Sequence, residues 1–134
     1  MTRLQWMVLV AIAALLITLC WVEVMRGEDP WTANKEALVT DLRSLAIRAQ
    51  AYYHESTARG GGEGSFLGLT ADAPGLAKLT PRSHNANGTY IIRSSGTSMC
   101  VQLSAVGTQL GTDGQPLLVI MSVFPDSTSF MFAN

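Results

Sequence analysis

Residues 4–22 read LQWMVLVAIAALLITLCWV, nineteen positions without one charged side chain. Gln5 is the one strongly polar residue of the run, and Thr18 and Cys20 are only mildly so. Coiled at about 1.5 Å per residue, the run spans about 28 Å, close to the hydrocarbon thickness of a bilayer. A cleaved secretory signal has a shorter apolar core followed by a small-x-small site. Here the following residues include Val22, Val24 and Arg26, poor substrates for signal peptidase. The segment therefore reads as a retained single-pass anchor. Arg3 precedes it, while Glu23, Glu28 and Asp29 follow. Holding positive charge inside places the N-terminus in the cytoplasm and the C-terminus outside. Trp21 and Trp31 fall at or beyond the outer boundary, where indoles are favoured.

Just past the anchor, Gly27 weakens any continuous helix, and Asp29-Pro30 restarts one with an acceptor at the N-cap and a pre-set φ at the first position. From there Leu38, Leu42, Leu45, Ala46, Ala49, Tyr52 and Tyr53 recur on one face at helical spacing. Of these, Leu38, Leu42, Leu45, Ala49, Tyr52 and Tyr53 are the expected contacts between helix and head. Val39, Ile47 and Ala51 lie on another side, which suggests a second face turned to a neighbour. The helix is expected to end near Ala58, because Gly60-Gly61-Gly62 cannot continue it.

Beyond the helix, residues 60–88 read as irregular chain with a flexible glycine-rich connection and a short turn over 73–79. Phe66, Leu67, Leu69, Leu76 and Leu79 are expected to cover the helix or a sheet edge. Three strands follow, at 89–94, 98–106 and 117–124, joined through Ser95-Gly96 and residues 107–114. The tail PDSTSFMFAN should be ordered, its Phe130, Met131 and Phe132 closing the core or covering an edge. The layout is α+β: a long N-terminal helix, half apolar anchor and half amphipathic, packed on a small antiparallel sheet. It divides into 1–25 (apolar transmembrane or filament-core helix), 26–58 (amphipathic helix) and 59–134 (small β-rich head).

Chemistry is sparse. A net charge of −1 leaves no basic footprint for nucleic acid. His54 and His84 stand thirty residues apart with no acid or Cys at metal spacing. The run Gly60-Gly61-Gly62-Glu63-Gly64 follows a helix instead of leading into one, so it is no phosphate cradle. No nucleophile elbow occurs, and Asp72, Asp113 and Asp126 belong to separate turns without a calcium-loop pattern. Asn87-Gly88-Thr89 fits the glycosylation sequon and equally fits turn chemistry. Cys20 and Cys100 sit in different environments, so no intrachain disulfide is expected. The sequence predicts neither catalysis nor a cofactor.

Met1-Thr2-Arg3-Leu4-Gln5-Trp6-Met7-Val8-Leu9-Val10-Ala11-Ile12-Ala13 resembles the start of a mature type IV pilin or pseudopilin. That family begins with Phe or Met, often followed by Thr and then aliphatic residues. Thr2, Met7, Val10, Ala11 and Ile12 stand in the expected places, and AQAYYHES is similar to the ends of pseudopilin helices. The chain departs from the pattern at Arg3, at Gln5 where the family has Glu, and in lacking a short basic leader ending in Gly. Either the chain begins after processing or, as the simpler expectation, Met1 is the initiator of a leaderless protein. The family's Glu neutralises the terminal amine of a neighbouring subunit; an amide supplies no such charge.

The resemblance implies a structural subunit of a helical pilus-like filament on the cell surface, with an inner-membrane pool before assembly. Its partners would be copies of itself and the pilus assembly machinery. The implied assembly surface comprises Met1, Gln5, Trp6, Val10, Ala11, Ala14 and Ile17 on the anchor, and Val39 and Ile47 on the second helix. Two other expectations stand beside it: a pseudopilin or minor subunit of a secretion machine, and a signal-anchored periplasmic binding domain.

Overall fold

The computed structural model describes residues 2–25, 27 and 29–133, with side chains at 23–25 excluded. An apolar helix, α1 (Arg3–Met25), precedes a second helix, α2 (Pro30–His54). Gly27 and Asp29 between them are not helical. A single 3₁₀ turn at Thr57–Arg59 and a short helix α3 (Ala73–Ala77) lead to four strands: β1 (Gly88–Ser94), β2 (Val101–Leu110), β3 (Pro116–Val123) and β4 (Thr128–Ala133). The strands pair antiparallel in sequence order, a meander, and α2 lies across β2 and β3. The fold is α+β.

Period and burial explain the packing. On α2, Leu38, Leu42, Leu45, Ala46 and Ala49 are buried, a stripe at i, i+4, i+7, i+8 and i+11. Tyr52 and Tyr53 extend it, half-buried, and the Tyr53 ring meets Phe66 at 4.8 Å between centroids. The sheet answers with period two: Tyr90 and Ile92 of β1, Val101, Leu103 and Ala105 of β2, and Leu117, Val119, Met121 and Val123 of β3 are all buried. Phe66, Leu69, Leu76 and Leu79 close the core from the loop side.

Several expectations are corrected. The helix ends at His54, four residues short of Ala58, because Glu55 is already extended (φ −78°, ψ 145°). The glycine run is not a loose tether. Gly62 and Gly64 donate their N–H groups to the carbonyls of Tyr52 and Tyr53, and Glu63 N–H donates to Glu55, so the loop folds back over the helix's last turn. Gly60 takes φ +86°, and a Cβ on Gly62 would collide with the Ser65 carbonyl. Asp29 occupies the N-cap, yet its side chain makes no cap bond; its backbone carbonyl accepts from Ala33 N–H at 3.0 Å. Trp31 packs half-buried against the head. Leu67 points to solvent instead of covering the core.

The strands also shift. Strand β2 starts at Val101 and continues to Leu110, with a register break between Val106 and Leu110, so Met99 stands outside the ladder and exposed. The ordered tail is a fourth strand. Phe130 and Phe132 of β4 alternate with Met131, and Phe130 packs against the core. Cations of α2 cover these rings: Arg43 lies 5.5 Å from the Phe130 centroid, and Lys35 Nζ lies 4.3 Å from that of Phe132.

Replacing a stripe residue should therefore cost far more than replacing its outward neighbour. Leu42→Ala is expected to lose about 2–5 kcal/mol of head stability in denaturant titrations of the detergent-solubilised chain. Ile47→Ala, at a position 66% exposed, should stay within about 0.5 kcal/mol of the parent in the same titration.

Candidate functional site

The first candidate is the surface of α1. From Thr2 to Val22 every residue is exposed, and no side of the helix is packed on the head. A helix apolar all round belongs in lipid or among other helices. Its local chemistry suits either setting. The Thr18 hydroxyl donates back to the carbonyls of Ala14 and Leu15, both at 2.9 Å, so it presents no unsatisfied donor. At the start of the helix Gln5 Oε1 accepts from Thr2 N–H at 3.0 Å, while Thr2 Oγ1 accepts from Gln5 N–H at 3.4 Å. This is a capping box, Thr-x-x-Gln. Its signature, Thr2 followed three residues on by Gln5, lies in the sequence itself.

Of the expected assembly residues, Trp6, Val10, Ala14 and Ile17 fall within an arc of about 80° on α1, by the 100° step of a helix. Gln5 and Ala11 flank that arc on opposite sides, and Met1 lies outside the described residues. On α2 the two expected positions separate. Ile47 is exposed, beside Arg43, Gln50 and the turn joining β3 to β4. Val39 is half-buried against the head's own core, so less of it is free for a neighbour. The expected helix-to-head contacts Leu38, Leu42, Leu45 and Ala49 are all buried, with Tyr52 and Tyr53 at the margin.

The second candidate was not foreseen from the sequence. Asp41, on α2, accepts at Oδ2 from Asn85 Nδ2 at 2.9 Å, from Asn87 Nδ2 at 3.0 Å and from the Tyr90 hydroxyl. Two turns earlier, Asn34 is buried, donates to the Asn87 carbonyl at 2.7 Å and accepts from Gln109 N–H at 3.4 Å. Together they pin the 85–88 turn and the β2 end to the helix. Partial burial pushes the Asp41 carboxyl up, but the bonds from Asn87, Tyr90 and Asn85 together outweigh it and hold it below the usual carboxylate range. Burial first, and then the bond to Asp41 and its charge, push the Tyr90 phenol above its ordinary value. The sequon is absorbed in the same network, because the Asn87 side-chain amide is already donating. A clue existed in the three asparagines or aspartates clustered around residues 85–87 and 41, but only the fold brings them together.

The remaining chemistry stays dispersed. Among the described residues no three His, Cys, Asp or Glu side chains gather to hold a metal. His54 stacks edge-on to Tyr53 at 5.1 Å, and Asp72 caps α3 by accepting from Gly75 N–H at 2.8 Å. Cys20 and Cys100 are both free thiols, and burial pushes the Cys100 thiol up.

The fold and the bare helix define a class: an α+β head carried on an apolar helical stem. Comparison of the chain with protein-family models, curated proteins and solved structures finds no match.

The Asp41 network makes a signed prediction. A carboxyl held below its unfolded value of about 3.9 contributes stability that is complete above that pH and lost as pH falls through the lower folded value. Asp41→Asn should lower the thermal midpoint at neutral pH and flatten the acid limb of a stability-versus-pH curve. Carboxyl NMR of the parent protein should place the Asp41 midpoint below about 3.9.

Proposed function

We propose that the chain is a structural, non-catalytic subunit that is held in a membrane by α1 and polymerises into a helical pilus-like filament on the cell surface. The observation that carries this reading is α1 itself: long and apolar enough to cross a membrane, exposed on every side, and followed by a helix whose own apolar stripe is already spent on the head. The resemblance of residues 1–13 to type IV pilins supports the choice of filament over plain anchor. In this reading the C-terminal head faces outward, and the helix exchanges lipid for the helices of identical subunits with the help of the assembly machinery. Lipid is as apolar as a neighbouring helix, so close packing must supply the preference for the filament. The small side chains of Ala11 and Ala14 allow that approach beside Trp6, Val10 and Ile17.

Gln5 then has a local task, since its carbonyl oxygen accepts from Thr2 N–H. Its contribution to assembly is to fix the start of the helix. Gln5→Leu is expected to leave membrane insertion intact, measured by resistance to carbonate extraction, and to reduce filament yield in sheared surface fractions viewed by negative stain. Ile47→Asp should likewise cut the yield without lowering the head's thermal midpoint. Wild-type protein that stays monomeric in the membrane of cells expressing the assembly machinery would exclude the filament and leave an anchored head.

A further inference from the structure

Between the middle of α2 and the 80–85 segment runs a groove of about 300 Å³. That volume is at the lower end of small-molecule sites. Leu45, Pro81 and the Tyr90 ring give it an apolar wall, and Ser44 and Thr80 add hydroxyl-bearing side chains. Its charged lining is unequal: Arg48, Arg82 and His84 stand against one acid, Asp41.

Hydrogen-bond accounting sharpens the asymmetry. One oxygen of Asp41 takes three neutral donors from inside the protein, which ties the carboxylate to the 85–90 segment while it keeps its single charge. Arg48 donates from Nη1 to the Leu79 carbonyl at 2.8 Å, which fixes its guanidinium at the groove wall and leaves four N–H donors. Among the described residues the side chains of Arg82 and His84 have no hydrogen-bond or ion-pair partner. Two guanidinium forks and an imidazole thus line one concave surface, and only Arg48 spends a donor on an acceptor within the protein. Arginine forks match the paired oxygens of phosphate and carboxylate groups.

We propose that this groove binds a small molecule carrying an oxyanion head, phosphate or carboxylate, with Arg82 and Arg48 holding the head, His84 adding a donor and the Tyr90–Leu45 wall receiving the body. The site uses no part of α1, so it stands or falls separately from the filament reading.

The test is an NMR titration of the full chain in detergent micelles at fixed ionic strength, with ribose 5-phosphate, citrate and plain ribose as probes. Saturable shifts at Arg48, Arg82, His84 and Asn85 with ribose 5-phosphate or citrate, and none with ribose, are expected; the tighter probe names the head group. Arg82→Gln should weaken binding roughly tenfold, the loss of about one charge-assisted hydrogen bond. Arg43→Gln, whose cation lies over Phe130 and outside the groove, should leave it unchanged. Arg82 is exposed, so its replacement should not disturb the fold, and His84→Gln gives an independent variant expected to weaken binding as well. Absence of saturation with both anions, or equal losses in the Arg82 and Arg43 variants, would overturn the proposal.

Discussion

Packing of the Leu38–Leu42–Leu45–Ala49 stripe on the inner face of the sheet is the interaction on which the rest depends. It fixes which side of α2 is spent and which remains free. A helix that buries five apolar residues in its own head has spent its apolar face there. Helix α1 has no comparable partner among the described residues. The two helices are close in length but differ in burial, and the non-helical Gly27 and Asp29 lie between them.

Polar contacts refine what the stripe begins. Asn34 and Asp41 lie on α2 two turns apart, close to the line of buried leucines, and both reach the loop that precedes β1. Apolar packing is tolerant of small slides along a helix axis, whereas a carboxylate held by three donors is not. The network therefore sets the register of helix against sheet after the leucines have set the face. Gly107 belongs to the same fit, since a Cβ there would run into the Asn34 side chain.

What the sequence disclosed followed from period. The apolar run, the heptad-like stripe of α2, and the alternation of Tyr90 with Ile92 and of Leu103 with Ala105 were all visible because one physical face dictates each pattern. Strand β4 was harder to see. Its six residues carry only two inward aromatics, and its partner strand is what makes them a strand at all. The end of α2 falls ahead of the glycine run because Glu55 is already extended, and the glycines permit close approach of backbone to backbone where composition alone suggests looseness. The Asp41 cluster joins residues more than forty positions apart, and polar residues in loops carry no period to betray such a meeting. At the N-terminus Gln5 stands where the resembled family has Glu, yet its partner within the chain is Thr2, three residues away.

The folded-back glycine loop bears on how the head would meet a protease. Cleavage requires several residues to be drawn out as an extended strand in the enzyme's cleft, and glycine-rich surface loops are ordinarily easy prey. Here the amides of residues 61–64 are bonded to Tyr52, Tyr53, Glu55 and Ser56, so drawing the loop out means unwinding the last turn of α2 and exposing Tyr53 and Phe66. Susceptibility at that point thus reports the opening of the core's own corner, and the head gains durability from a segment that looks like its weakest.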